Sequence, residues 1–230
     1  DFGMSGAVYP SLKGRLVVVT GGGSGIGAGG DEAFARQGAR VVFFDIAEAD
    51  SRALEASLAD LNPAPIFEAC DLTRIEALQA ALAEITARFG SIDVLINNAA
   101  SDDRHTLAEV TPAYWDDRIA VNLRHLYFAA QAVAPTMRAQ GRGVILNLGS
   151  ISWHLGLPDL SIYETAKAGI EGMTRALASE WAASGIRVNA IAPGYFRTAM
   201  TEDFYQDAAW QDRMMSKIPQ GRFGKDEDIG

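Results

Sequence analysis

The 230-residue chain is 48% apolar with a net charge of −9, enough for one sizeable core. It has no Lys/Arg cluster of the kind a nucleic-acid or anionic-membrane face requires. A single cysteine, Cys70, excludes an intramolecular disulfide and leaves a cysteine-based metal site unsupported; residues 1–11 lack a signal pattern and no apolar run approaches the ~20 residues of a bilayer span, so a soluble, metal-free cytoplasmic protein is expected.

In chain order, an apolar run at 16–19 leads into Thr20-Gly21-Gly22-Gly23-Ser24-Gly25-Ile26-Gly27. Glycines between a strand and a helix let backbone N–H groups approach a pyrophosphate without a Cβ in the way, although the GxxxGxG spacing alone also suits a flexible loop. The following helix starts poorly. Gly29 and Gly30 each cost about 1 kcal/mol relative to alanine, and Asp31 falls where an apolar residue would pack on the sheet, unless it is a first-turn residue favoured by the helix dipole. A strand at 41–44 is closed by Asp45, about 20 residues beyond the glycines, where a carboxylate can bind an adenosine ribose and repel a 2′-phosphate. No Arg or Lys lies in the glycine loop or directly after Asp45, so NAD is expected rather than NADP.

A helix at 51–61 precedes a strand at 66–70, which ends at Asp71, a partner for an adenine amino group or the head of an Asx turn. A helix at 75–89 and a strand at 94–97 lead to Asn97-Asn98-Ala99-Ala100 and the polar segment Ser101-Asp102-Asp103-Arg104-His105. Thr111 before Pro112 reads as an N-cap with proline in the first helical position, opening one helix over 112–137 that contains Asn122. A strand at 144–148 runs out at Ser150 and is followed by the segment 152–157. A helix at 162–183 carries Tyr163 and Lys167 on one face, an arrangement in which the ammonium would stabilise a phenolate and bring a tyrosine of pKa about 10 nearer neutral pH. A strand at 188–191, a turn at Pro193-Gly194 and an aromatic and methionine-rich stretch at 195–215, readable as a lid or as an amphipathic core helix, complete the series. The chain stops at Gly230, where another helix and an edge strand are expected. Short apolar runs alternating with helices define an α/β protein: a Rossmann-like doubly wound parallel sheet flanked by helices, in a single domain over 1–230.

These motifs resemble, in order and spacing, those of the classical short-chain dehydrogenase/reductase family over essentially the whole chain. The matching residues are TGGGSGIG at 20–27, Asp71, NNAA at 97–100, Asn122, Ser150, YETAK at 163–167 and PGYFRT at 193–198. The resemblance implies a catalytic set of Asn122, Ser150, Tyr163 and Lys167, a seven-stranded sheet whose last strand this sequence lacks, and a homo-oligomer, tetramer or dimer. It implies cofactor contacts from Gly21, Ser24, Gly25, Ile26 and Gly27, from Asp45 and Ile46, from Asp71 and Leu72, and from Asn98 and Ala99. Tyr163, Lys167, Pro193, Gly194, Phe196 and Thr198 would complete the nicotinamide end. Asn122 is then either a hydrogen-bonded core amide or the holder of a water that relays a proton from Lys167.

Within that family the segments 101–105 and 152–157 are similar to those of bacterial aldose dehydrogenases. That similarity implies a sugar substrate, its hemiacetal C1 oxidised to an aldonolactone, with contacts from Asp102, Ser150, His154, Tyr163 and Tyr195. The competing readings are a carbonyl reductase of the 3-oxoacyl type and a catalytically silent NAD-binding protein.

Overall fold

Strands that are apolar on both faces must be covered on both, and the layers follow from that requirement. The computed structural model describes residues 7–197, 205–225 and 228–229. Among them six strands, β1 (Leu16–Thr20), β2 (Arg40–Asp45), β3 (Ile66–Ala69), β4 (Val94–Asn97), β5 (Gly143–Leu148) and β6 (Ile186–Ile191), form one parallel sheet in the order β3-β2-β1-β4-β5-β6. This is the doubly wound order, in which connections leave β1 in both directions and open a crevice at the carboxyl edge between β1 and β4.

Alternation along each strand divides the core. Val18, Val42 and Leu95 face one layer, where α3 (Ile75–Phe89), α5 (His125–Ala139) and α7 (Ser161–Trp181) bury Leu82, Val133 and Leu177. Val17, Val41 and Phe43 face the other, against α1 (Gly25–Arg36) and the neighbourhood of α2 (Glu48–Ser57). No helix of the described residues is long and apolar enough to cross a membrane.

Two expectations need correction. The helix anticipated over 112–137 is interrupted: α4 (Pro112–Ile119), capped as foreseen by the Thr111 side chain, passes into a π-turn at Ala120–Arg124 before α5 begins. Asn122 lies within that turn and is drawn to Ser101 rather than along the helix axis. Asp31 is not a first-turn residue. It lies in the second turn of α1 with no exposed surface and neither carboxylate oxygen partnered, at the spot a Cβ on Gly22 would occupy.

Burial, and then the nearby Asp45 charge, hold the Asp31 carboxyl well above the usual aspartate value of 3.8. The unfolded chain therefore releases this proton at a lower pH than the native protein does. Stability is lost as pH rises from 3.8 towards the raised native value. Asp31→Ala is expected to stabilise the fold by roughly 1–3 kcal/mol at neutral pH, the cost of an unmatched buried polar group, and by less near pH 4. Thermal unfolding at both pH values checks this, and a lower Tm at neutral pH would contradict it.

Candidate active site

The sheet's carboxyl edge opens into a cleft of about 400 Å³ running from Asp45 to Tyr195. At its cofactor end the turn after β1 is held against β4. Asn98 Nδ2 donates to the carbonyls of Thr20 (3.1 Å) and Gly21 (2.8 Å), and Asn98 N–H donates to Thr20 Oγ1 (3.0 Å). Gly21 has a φ of 68°, and a Cβ there would come within 2.7 Å of Ala99 Cα. Gly27, behind the cleft wall, lets α1 reach the turn: a Cβ would lie 2.0 Å from the Gly21 carbonyl. Ser24, Gly25 and Ile26 thus present a helix N-terminus to the cleft, a cradle that a dinucleotide pyrophosphate fits.

Asp45 closes β2 with its carboxylate turned inward. Oδ2 accepts from Gly23 N–H (2.9 Å) and Oδ1 from Ile46 and Ala47 N–H (2.7 and 2.9 Å), and Ile46 stands beside it, 75% exposed. Asp71 and Leu72 line the same end, with Asp71 Oδ1 also accepting from Thr73 N–H and Oγ1, so the Asx-turn reading holds.

At the other end, polar groups in the sheet register the layers. Asn97 Nδ2 donates to Asn147 Oδ1 and Asn147 Nδ2 to Thr174 Oγ1, both at 2.9 Å, tying β4 to β5 and β5 to α7. This strut, which the strand pattern does not reveal, sets α7 against the end of β5. Ser150 follows β5 there, accepts from Ser152 N–H (3.1 Å) and stands beside the Tyr163 phenol in the cleft wall. Lys167, one turn on and 2% exposed, donates from Nζ to the Leu148 carbonyl (2.7 Å), its Nζ 5.3 Å from the Tyr163 ring centroid.

The titration of this pair differs from the expectation. Tyr163 is not lowered: burial pushes it up to about 12, Ser150 opposes the rise and the Asp102 charge adds to it. Burial instead lowers Lys167 to about 8. Asn122, fully buried, has both ends of its amide on Ser101, Oδ1 accepting from N–H and Nδ2 donating to the carbonyl, each at 2.9 Å. Its side chain is the core amide of the two readings, and it pins the loop that leads to Asp102.

Asp102 enters the cleft, with its carboxyl raised chiefly by burial. Tyr195 also lines it, and its phenol oxygen is buried with no partner in the structure. Pro193, Gly194 and Phe196 border the cleft; Thr198 lies outside the described residues. His154 does not join them. It sits on the short helix α6 (Ser152–Leu155), stacked on Trp153 with ring centroids 3.7 Å apart, its Nε2 3.4 Å from Glu171 of α7, and it is absent from the cleft wall. The 152–157 segment reaches the cleft through Leu155 and Leu157 instead.

The 195–215 stretch supplies an aromatic wall. Tyr205 packs edge-on to Trp210 (5.3 Å) and Phe223 (4.8 Å), and α8 (Ala208–Met215) buries Met214 while Trp210 borders the cleft; Met200 and Phe204 lie outside the described residues.

A protein-family model described as enoyl-(acyl carrier protein) reductase matches residues 21–230. The chain is 61% identical over 202 residues to a D-xylose 1-dehydrogenase of Caulobacter vibrioides, covering 88% of this chain and 80% of that protein. It is 53% identical over 191 residues (83% and 75%) to a protein of Rhizobium meliloti described as a probable galactose dehydrogenase. Among solved structures it is similar to a gluconate 5-dehydrogenase from Burkholderia cenocepacia in complex with NADP and tartrate, at a TM-score of 0.87 and 33% identity, covering 94% of this chain and 85% of the other.

Proposed function

Because the chain belongs to the short-chain dehydrogenase/reductase family of oxidoreductases, we propose that it is an NAD-dependent aldose dehydrogenase that oxidises the hemiacetal C1 of a pyranose to an aldonolactone. The observation that carries this reading is the convergence of Ser150, Tyr163 and Lys167 at one end of a cleft whose other end is Asp45, with Asp102 and the unpaired Tyr195 phenol beside them. A sugar offers several hydroxyls, and buried polar groups at its site favour ligands able to pair them.

Ser150 orients the C1 hydroxyl, and Tyr163 takes its proton as C1 loses hydride. Tyr163, Pro193 and Gly194, which line the same cleft, would hold a nicotinamide, and that group would supply the hydride acceptor. Lys167 and Tyr163 act as one titrating unit: phenol with neutral amine and phenolate with ammonium carry the same number of protons. Loss of one proton from the unit near pH 8, where burial sets Lys167, therefore makes the base available. The kcat/KM for oxidation should rise about tenfold per pH unit below that value and level above it; a flat or falling profile would exclude the unit as the base. The Asn122 backbone, within its π-turn, is the place for a relay water, and the side chain serves the Ser101 loop.

A screen of aldoses and simple secondary alcohols with NAD and NADP, and of a 3-oxoacyl thioester with NADH and NADPH, followed by the rise or fall in absorbance of the reduced cofactor, tests the reading. Turnover of D-xylose or D-galactose with NAD supports it. Turnover of only the thioester would return the oxoacyl reductase, and none at all the silent binder. We also take the protein to be a homo-oligomer. The support is an apolar groove between α4, α5 and α7, lined by Ile119, Leu123, Phe128, Met173 and the half-exposed Tyr127. Light scattering of the purified protein checks it, a monomer being the contrary result.

A further inference from the structure

His105 stands outside the set just described, yet it connects two parts of it. Its ring is buried, 7% exposed, with both nitrogens engaged. Nδ1 lies 3.2 Å from the Asp103 carbonyl and 3.3 Å from Tyr114 Oη, while Nε2 lies 3.1 Å from Ser161 Oγ. A carbonyl can only accept, so Nδ1 carries the hydrogen, and Nε2 accepts from the Ser161 hydroxyl. The His105 backbone N–H donates to the carbonyl of Asp159 (3.0 Å), a non-glycine residue held at a φ of 61° in the turn before α7.

The consequence is a bridge across the mouth of the cleft. Ser161 opens α7, two residues before Tyr163. Asp103 follows Asp102, the carboxylate whose charge already reaches the Tyr163 phenol. The far side of the loop is fixed separately, by Asn122 on Ser101 and by Arg118, which donates to Ser101 Oγ (3.0 Å) and Asp103 Oδ2 (2.9 Å). The His105 side chain ties this loop to the first residue of the helix bearing the base, while Arg104 of the same loop donates to the Pro158 carbonyl (3.4 Å) in the turn before that helix.

We propose that His105 is a positioning residue that sets the distance between Asp102 and Tyr163, and thereby the recognition of the substrate hydroxyl next to the reacting carbon. The proposal rests on the sugar reading for its substrate but not for its geometry. With D-xylose as probe, His105→Phe, which keeps an aromatic ring and removes the hydrogen bonds of both nitrogens, should raise KM for the sugar about tenfold and leave KM for NAD within about twofold. His105→Gln, whose amide reaches the Nε2 position, should recover most of that loss. Ser161→Ala should raise the sugar KM several-fold and add little to His105→Phe, since both remove the same bridge.

Equal rises in both KM values, no rescue by glutamine, or full additivity of the two substitutions would overturn the proposal. Amide hydrogen exchange separates it from the sugar reading. If the unaltered protein oxidises no aldose, that reading fails by itself. The bridge must still show as faster exchange at 101–106 in His105→Phe and not in a Thr165→Ala control, and unchanged protection there overturns the proposal.

Discussion

Tyr163→Phe is expected to reduce sugar oxidation by about 10²- to 10⁴-fold, the range that a positioned proton acceptor contributes. The ring stays in place on α7 and only the phenol oxygen beside Ser150 is lost, so the cleft keeps its shape. Binding of reduced cofactor, followed by its fluorescence, should change by no more than about threefold, because the turn after β1, Asp45 and the 193–196 segment, which line the rest of the cleft, are untouched. The fold should not suffer, since the phenol, its pKa pushed up to about 12, is uncharged at neutral pH and its removal leaves the ring's packing in place. Lys167→Ala should differ, lowering both turnover and cofactor affinity and leaving the Leu148 carbonyl unpaired in the core. Substantial turnover by Tyr163→Phe would remove Tyr163 from the mechanism. A loss of cofactor binding as large as the loss of turnover would assign it to the binding site instead.

Much of this site could be read in the sequence because its framework consists of local signals. Strands buried on both faces give uninterrupted runs such as Val17-Val18-Val19, and the residue after each run lies at the carboxyl edge by construction, which places Asp45, Asp71 and Ser150 without further information. What was hidden depended on partners distant in the chain. The break at Asn122 leaves the apolar periodicity intact, and the partner its amide takes there is Ser101, twenty-one residues away. Asn147 sits in a strand where a polar residue carries no pattern; its meaning comes from Asn97 and Thr174.

His154 illustrates the opposite error. Its place after a strand end suggested a ligand contact, but α6 turns the ring toward Trp153 and Glu171, and the cleft receives Leu155 instead. The direction of the Tyr163 shift was hidden for the same reason: an i,i+4 spacing reveals the lysine's proximity and nothing of the burial that outweighs it.

Cofactor preference gives the second large effect, and the geometry around Asp45 alters how it must be tested. The carboxylate accepts three backbone N–H bonds, from Gly23, Ile46 and Ala47, so besides the ribose role proposed for it, it holds the glycine turn to the end of β2. Asp45→Ala therefore removes a ribose acceptor and loosens its own cradle. The kcat/KM with NAD should fall about 100-fold, as for loss of charge-assisted bonds of roughly 1.5–3 kcal/mol. NADP should gain little from that change alone, because removing a repulsion supplies no cation. Asp45→Asn keeps an acceptor oxygen for the turn while deleting the charge, and is expected to retain more total activity than the alanine variant. Ile46 is 75% exposed at the rim, so an arginine there reaches solvent and a 2′-phosphate without displacing core. Asp45→Asn with Ile46→Arg should raise kcat/KM with NADP by at least about tenfold and move the ratio of the two cofactors by about 10³. An unaltered protein that prefers NADP would refute the assignment of Asp45. A double variant that loses NAD and gains no NADP would show that the carboxylate serves the turn alone and that selectivity is set elsewhere in the cleft.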